Sequence, residues 1–477
     1  MRRVPAGPPP RCSVVQPWAA AVPPLEALRR LAPDRHPFVR FAAGGPKDLA
    51  RWSYAGAHPV ETLRVTVGAR GPERDPWVAL ARRWPRPMTR QGPRIPFAGG
   101  WFGCLGYELR SAVEAIPPPR APADGFPALW LGRYEAVVAW DHHRRRAYLA
   151  GTGASVTLAR RAIERLRARL ESPPAAAAPR RAARAPAPPS AVSARVAPAS
   201  YRRRVAEVRA RIRAGDLFQA NLSQRFEGRL RGTPVELFER LVARSPAPFA
   251  TYLDVGDGRV VLSASPERFL CLVRRTAETR PMKGTRPRGR TPREDRALRL
   301  DLASSEKDRA ELAMIVDLSR NDLSRSCRPG TVRVVRARRL ERYATVHQAV
   351  AIVEGRLLDG ASGVDLIRGA FPPGSVTGAP KVEAMKVIDR LEGEARGPYC
   401  GAIGWLDDGG DLDLAVAIRT LCVAGRCVSY RVGGGITLLS DPEEERVETL
   451  DKGRALGSAV VGAATAAPAS ARGRRRR

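Results

Sequence analysis

Four acidic residues fall in two pairs at one spacing: Asp308 with Glu311, and Glu445 with Glu448. Residues three apart share a helix face. Two helices each presenting two carboxylates could therefore close around one Mg2+, leaving coordination positions for water and an anionic substrate. The same spacing also suits four solvated surface acids. A second feature is a single amine. The stretch RPMKGTRPRG, residues 280–289, sets Lys283 among Arg280, Arg286 and Arg288. Only six of the 82 basic residues are lysine (47, 283, 307, 381, 386 and 452), so arginine has replaced lysine nearly everywhere. A plain cation at 283 could have been arginine. An amine that must lose its proton and attack an electrophile could not, because a guanidinium stays protonated at useful pH.

The stretch VGGGITLLSDPEEERVETLDK adds features that suit an anion. Gly433 to Gly435 allow close backbone approach, so free N–H groups could grip a carboxylate. Lys452, one helical turn beyond Glu448, could reach the same ligand. A plain glycine turn between strand and helix fits the stretch equally. Arg419 stands in an aliphatic strand, LAVAIRTL, where a guanidinium needs a partner and a bidentate carboxylate would serve. His347, in YATVHQAVAIVEG, suits a structural histidine as well as a catalytic one, and Glu267 in SASPERF suits a surface turn acid. The segment Gly103-Cys104-Leu105-Gly106 superficially resembles the G-x-C-x-G elbow of glutamine amidotransferases. Phe102 stands where its first glycine belongs, and no His-x-Glu follows. Cys104 is expected to be a packed residue, and no glutaminase is expected in this chain.

These residues need elements to hold them. A helix over 200–214, capped by Ser200 and ended by Gly215, has Val205, Val208 and Ile212 on one face. FQANLS alternates as a half-buried strand, with Phe218, Ala220 and Leu222 on one side. VVLSASPERFL reads as a strand running into a turn at Pro266. SSEKDRAELAMIVDLSRNDL reads as a serine-capped helix with Leu312, Ile315 and Val316 inward. Pro380 opens a helix whose Val382, Met385, Ile388 and Leu391 line one face. LDLAVAIRTLCV and RCVSYRVGGG read as strands, followed by a last helix from about Pro442. Strands and helices mix without a βαβ rhythm, which predicts an α+β fold with largely antiparallel sheets.

Composition narrows the class. The formal charge of +34 would ordinarily suggest nucleic acid. Its arginines are spread through an Ala-, Gly- and Pro-rich chain and no basic stripe is interleaved with aromatics, so no nucleic-acid partner is expected. No apolar run approaches the roughly 18 residues of a membrane span, and MRRVPAGPPPRCSVVQPW lacks a secretory apolar core. Seven scattered cysteines without CxxC pairing fit a reduced, cytoplasmic setting. Residues 172–198 are Pro-, Ala- and Arg-rich and read as a linker, and 463–477 as a disordered basic tail. The linker separates a first block, 1–171, from a second, 199–462.

Taken together, GDLFQANLSQRF, SASPERF, RPMKGTRPRG, SSEKDRAELAMIVDLSRNDL, FPPGSVTGAPK, GPYCGAIGW, DLAVAIRTL and GGGITLLSDPEEERVETLDK resemble the chorismate-utilising enzymes. Within that family they are most similar to the first component of aminodeoxychorismate synthases, close kin of anthranilate synthases. The resemblance covers about residues 200–462 and reaches the first block through FAGGWFGCLGYEL. It implies two face-packed sheets with helices outside, formed by both blocks together, with 199–462 the chorismate-binding catalytic part.

The resemblance also implies roles. Glu311 and Glu448 would hold Mg2+ for the ring carboxylate of chorismate, with Asp308 and Glu445 direct or through water; Asp308 stands where the family carries glutamate. Gly435 and Lys452 would meet the same carboxylate, and Tyr399 and Arg419 the enolpyruvyl carboxylate. His347 and Ser375 would orient the ring and its hydroxyl region, and Glu267 would be the acid/base carboxylate. Anthranilate synthases carry alanine in P-I-A-G-T where this chain has lysine in Pro281-Met282-Lys283-Gly284-Thr285. Isochorismate and salicylate synthases carry lysine there too, but Gly374-Ser375-Val376-Thr377-Gly378-Ala379-Pro380-Lys381 has the form typical of the ammonia users. The implied reaction makes 4-amino-4-deoxychorismate, on the route to 4-aminobenzoate and folate, through a covalent Lys283 intermediate. Ammonia would come from a separate glutamine amidotransferase subunit, and Arg280, Arg286 and Arg288 would help to keep the amine neutral.

Overall fold

A computed structural model describes residues 10–66, 75–117, 124–172 and 192–462. Among these residues the chain forms one sheet of thirteen strands and one of ten. All pairings are antiparallel except Arg11–Pro17 with Met88–Gln91. The two sheets meet through aromatic side chains: Phe38 of the larger stacks on Phe102 of the smaller at 4.0 Å, and Tyr54 meets Trp405 edge-on. Helices cover the outer faces. Pro24–Leu31, Val156–Glu171, Pro234–Arg244 and Pro442–Val461 pack on the larger sheet. Glu306–Ser324 and Gly363–Ala370 pack on the smaller one. The α+β architecture is as the sequence predicts.

Both blocks build both sheets. Phe38–Phe41 pairs with Phe249–Gly256 in the larger sheet, and Gly100–Leu105 pairs with Ala402–Asp407 in the smaller. Most of the expected linker, 173–191, lies outside the described residues, as does the expected disordered tail. The end of that linker is structured: Ser193–Ala194 adds to the strand Gln219–Arg229, and Pro198 opens a helix.

Several local expectations change. The helix is Pro198–Arg213, with proline at its first position and no side-chain cap, so Ser200 lies inside its first turn. Gln219–Arg229 is not half-buried: its first eight residues are buried on both faces, while Phe218 precedes it and is 70% exposed. The strand lies next to the edge of its sheet but is covered by the helices Pro198–Arg213, Lys381–Glu392 and Pro442–Val461, so Gln219, Asn221 and Ser223 are buried, with Ser223 bonded to Glu392. A further helix, Pro292–Ser304, precedes Glu306–Ser324, and Ser305 caps the latter through the Asp308 amide. Pro380 is the residue before the helix Lys381–Glu392.

The segment LDLAVAIRTLCV is two strands, Leu412–Val416 in the smaller sheet and Thr420–Ala424 in the larger. The chain crosses between sheets at Ala417–Arg419. It makes the opposite crossing at Pro266–Glu267, between Arg259–Ser265 and Arg268–Val273. The two crossings are laced together: the Val416 amide donates to the Glu267 carbonyl at 3.0 Å, and the Ala264 amide to the Arg419 carbonyl at 3.0 Å. Arg419 is thus not strand-interior but sits on a bend with left-handed backbone, φ 50°.

Because neither block owns a complete sheet, 1–172 and 192–477 expressed as separate chains are expected to co-purify and to unfold in one transition. Size exclusion and thermal denaturation check this. Two fragments that fold independently and elute apart would contradict the shared sheets.

Candidate functional site

Lys283 lies on the strand Met282–Pro287, opposite Ala349 of Val346–Arg356. The register slips between Lys283 and Thr285, where Gly284 takes φ +78°. A bulge of this kind re-aims the neighbouring side chain. Glycine is required there, since a Cβ would stand 2.9 Å from Leu302 and 3.0 Å from Asp308. Lys283 Nζ ends 3.2 Å from where a Cβ on Gly435 would be, and Gln219 Nε2 would be 2.1 Å from the same point. The amine therefore lies against bare backbone. Gly433 to Gly435 are not a turn but part of the strand Cys427–Ile436, laddered to Gln219–Arg229. The pairing with Thr420–Ala424 ends at Tyr430, so beyond it the other edge of the glycine strand has no partner strand among the described residues. Lys452 Nζ reaches the Gly433 carbonyl there at 3.3 Å.

Electrostatics at Lys283 are balanced between opposites. Burial pushes the amine below its ordinary range and Lys452 adds to this; Glu311, Glu267 and Glu448 pull the other way, and the net shift is downward. The three arginines flanking it in sequence do not contribute as expected, because each is neutralised by its own acids. Arg280 pairs with Glu278 and Asp48, Arg286 with Asp301 and Asp308, and Arg288 with Asp295.

Glu267 is not a surface turn acid. It is 4% exposed, at the sheet crossing. Burial pushes its carboxyl up to about 7, against a hydrogen bond with Ser375, the Lys283 charge and the Met282 amide. A buried carboxyl titrating near neutrality beside an amine of lowered basicity can give or take a proton under ordinary conditions.

The four spaced carboxylates divide. Glu311 is raised by burial and by the Asp308 and Glu448 charges, against the pull of Lys283 and Lys307. Burial pushes Glu448 up, but Lys452 outweighs it and holds it low through a close ion pair. Asp308 is instead engaged by Arg286 at 3.1 Å, and Glu445 accepts from Ser440 Oγ at 2.6 Å. As placed, no three His, Cys, Asp or Glu side chains among the described residues are grouped to hold a metal ion. Glu311 and Glu448, acidic neighbours on facing helices, fit Mg2+, an ion that keeps several waters and takes few protein ligands.

The remaining expected residues are dispersed: Ser375 shares a cavity with Glu267, whereas His347 lines one with Arg288 and Asp295, and Tyr399 one with Arg396 and Tyr430. His347 is buried, and its Nε2 lies 2.9 Å from Asp295. Tyr399 is buried against Cys400 and Arg396, and the Cys400 amide donates to the carbonyl of Ala417 in the second crossing. Arg419 has no carboxylate partner among the described residues, contrary to expectation; burial lowers its basicity, and the nearby Tyr343 phenol, itself pushed well above its ordinary range by burial, is neutral. An unpaired guanidinium on left-handed backbone is a strained feature of the kind kept for a ligand. Two residues went unnoticed in the sequence. Gln219, beside Gly435, has a buried Oε1 without a partner. Tyr343 donates to Glu341 at 3.1 Å and to the Pro266 carbonyl at 3.4 Å. Only an alternating strand pattern marked Gln219, and it pointed outward. Cys104 is buried and packed as expected, and all seven cysteines are free.

The profile of chorismate binding enzymes matches residues 41–458. This chain belongs to that family. It is 40% identical over 459 residues to anthranilate synthase component 1 of Streptomyces coelicolor, covering 94% of this chain and 88% of that protein. It is 38% identical over 365 residues to aminodeoxychorismate synthase component 1 of Salmonella typhimurium, covering 76% of each. The crystal structure of anthranilate synthase component I from Streptococcus pneumoniae superposes with TM-score 0.76 at 30% identity, covering 85% of this chain and 92% of that one. A chorismate-utilising synthase is the common denominator. Because both branch names occur at nearly equal identity, the branch has to be argued from the site. No helix among the described residues is long and apolar enough to cross a membrane.

The Glu267 carboxyl supplies a stability test. Its folded value, about 7, lies above its ordinary 4.5, so the native state holds the extra proton between these values. Stability should fall as pH rises from about 4.5 to 7 and level off above. The full loss is on the order of 3 kcal/mol at about 1.36 per pH unit. Denaturant melts of the protein and of Glu267→Gln across that window should differ in slope by about this much; parallel curves would show that Glu267 titrates normally.

Proposed function

We propose that this chain is the chorismate-converting component of an aminodeoxychorismate synthase, joining chorismate and ammonia into 4-amino-4-deoxychorismate. The observation that carries the reading is Lys283, an amine of lowered basicity against the Gly435 backbone with a near-neutral carboxyl, Glu267, beside it. Lys283 attacks ring C2 as the C4–O bond breaks, the ring double bonds shift, and Glu267 protonates the departing hydroxyl, which leaves as water. Ammonia then forms the C4–N bond, the double bonds shift back, and the C2–N bond to lysine breaks. A residue that only paired with substrate could have been arginine in this chain; a nucleophile could not.

Chorismate's two carboxylates call for two anion sites. Lys452 and the Gly435 backbone serve the ring carboxylate, and Arg419 with Tyr399 the enolpyruvyl carboxylate. Ser375 and His347 orient the ring. Glu311 and Glu448 would hold Mg2+, which when bound neutralises the ring carboxylate; Asp308 and Glu445 support them from their own hydrogen-bonded positions. Ammonia is supplied by a separate glutaminase subunit. The product's place is in 4-aminobenzoate and folate synthesis.

Product identification tests the branch. With chorismate, Mg2+ and an ammonium salt, mass and chromatography should resolve 4-amino-4-deoxychorismate; anthranilate or isochorismate would overturn the assignment. Lys283→Arg should be as inactive as Lys283→Ala, each at least ~100-fold below wild type, or roughly 3 kcal/mol of barrier. Near wild-type turnover by Lys283→Arg would reduce Lys283 to a cation. For the metal, Glu311→Gln and Glu448→Gln should abolish turnover while the melting temperature stays within a few degrees, and EDTA should silence the wild type. Full activity in EDTA removes Mg2+ from the reading.

A further inference from the structure

Lys381 is another of the six lysines. Its side chain is 10% exposed. Nζ lies 2.7 Å from Asp322 Oδ1, itself buried, and donates to the Ala370 carbonyl at 2.9 Å. Burial lowers the amine and raises the acid, and each charge opposes the other's shift. Removing two charges from water is expensive, and a buried pair is seldom kept for stability alone.

What the pair holds is specific. Ala370 ends the helix Gly363–Ala370, and Lys381 begins the helix Lys381–Glu392. One ammonium therefore ties together both ends of the connection 371–380, which carries Ser375. Asp322, from Glu306–Ser324, supports the same connection: its Oδ2 would be 3.5 Å from a Cβ on Gly374. Inside the loop, Thr377 Oγ1 donates to the Pro373 carbonyl at 2.9 Å, and Arg396 Nη1 to the Val376 carbonyl at 3.1 Å. Ser375 and Glu267 face one narrow cavity together with Gly374 and Asp322, and the Ser375 hydroxyl is among the groups that hold the Glu267 carboxyl down against its burial. A neutral side chain at 381 would leave Asp322 buried without its ammonium partner.

We propose that Lys381 and Asp322 are positioning residues for Glu267, acting through Ser375: the buried pair fixes the 371–380 connection so that the Ser375 hydroxyl stays on the Glu267 carboxyl. The inference takes Glu267 to be the acid of the proposed function, but its test does not need that. Glu267 is faced by Lys283, Ser375 and the Met282 amide, with Tyr343 behind Pro266, while Arg268 turns to Asp413 and Glu278. Only the Ser375 contact depends on the connection.

The experiment titrates Glu267 without substrate, by carbon NMR of glutamate-labelled protein assigned against Glu267→Gln. Ser375→Ala should raise the Glu267 value, because it removes a hydrogen bond to the charged form. Lys381→Met should raise it by the same amount, and the double variant no further, since partners in one chain of contacts are not additive. If Lys381→Met does not fold, Lys381→Met with Asp322→Asn, which removes both charges, takes its place. An unmoved Glu267 in a folded Lys381 variant, or shifts that add in the double variant, overturns the proposal. In turnover, kcat should fall roughly tenfold or more with KM within about twofold; an unchanged kcat also counts against it. If the titrations agree but the wild type makes no 4-amino product, the functional reading fails and the positioning stands.

Discussion

The lacing of two sheet crossings is the constraint on which the site rests. At Pro266–Glu267 and at Ala417–Arg419 the chain leaves one sheet and enters the other, and two backbone hydrogen bonds, Val416 to Glu267 and Ala264 to Arg419, lock the crossings side by side. Backbone groups between two packed sheets cannot turn to water, so they must satisfy each other. The consequence is chemical. A carboxyl is held where solvent is scarce, and a guanidinium is held on a left-handed bend where its own fold offers no acid.

Around that lacing, burial dominates and charge corrects. Desolvation is the largest influence on Glu267 and Lys283, and it drives them toward each other: the acid becomes weaker and the amine less basic. The nearby arginines were expected to depress Lys283, yet each spends its charge on its own acids, leaving Lys452 as the cation that acts on it. Glycine supplies the third ingredient. At Gly435 the absence of a Cβ admits both the Lys283 amine and the Gln219 amide to bare backbone. The Lys283 amine and the Gln219 amide can then occupy space that any side chain at 435 would fill.

Membership in the chorismate binding enzyme family fits this division of labour. Relatives named for two different reactions are about equally similar over most of the chain, as expected if most residues serve the sheets and crossings.

Much of this was legible in the sequence where the information is local. Helical periodicity identified Glu306–Ser324 and Lys381–Glu392, because apolar spacing follows from one helix face being buried. Scarcity of lysine singled out Lys283, because arginine cannot do the work of a neutral amine. Motif order carried the family. The tertiary structure alone decided what depends on partners distant in the chain. Strand alternation misjudged Gln219–Arg229, since period two presumes one solvent face and this strand has none. LAVAIRTL read as one strand, because nothing local shows that its halves enter different sheets. Equal spacing made Asp308, Glu311, Glu445 and Glu448 look alike; Arg286, from a strand in another part of the chain, sets Asp308 apart, while Glu445 differs through the nearby Ser440. Sequence spacing fixes which residues can share a face, but ionisation and pairing depend on what the fold packs against that face.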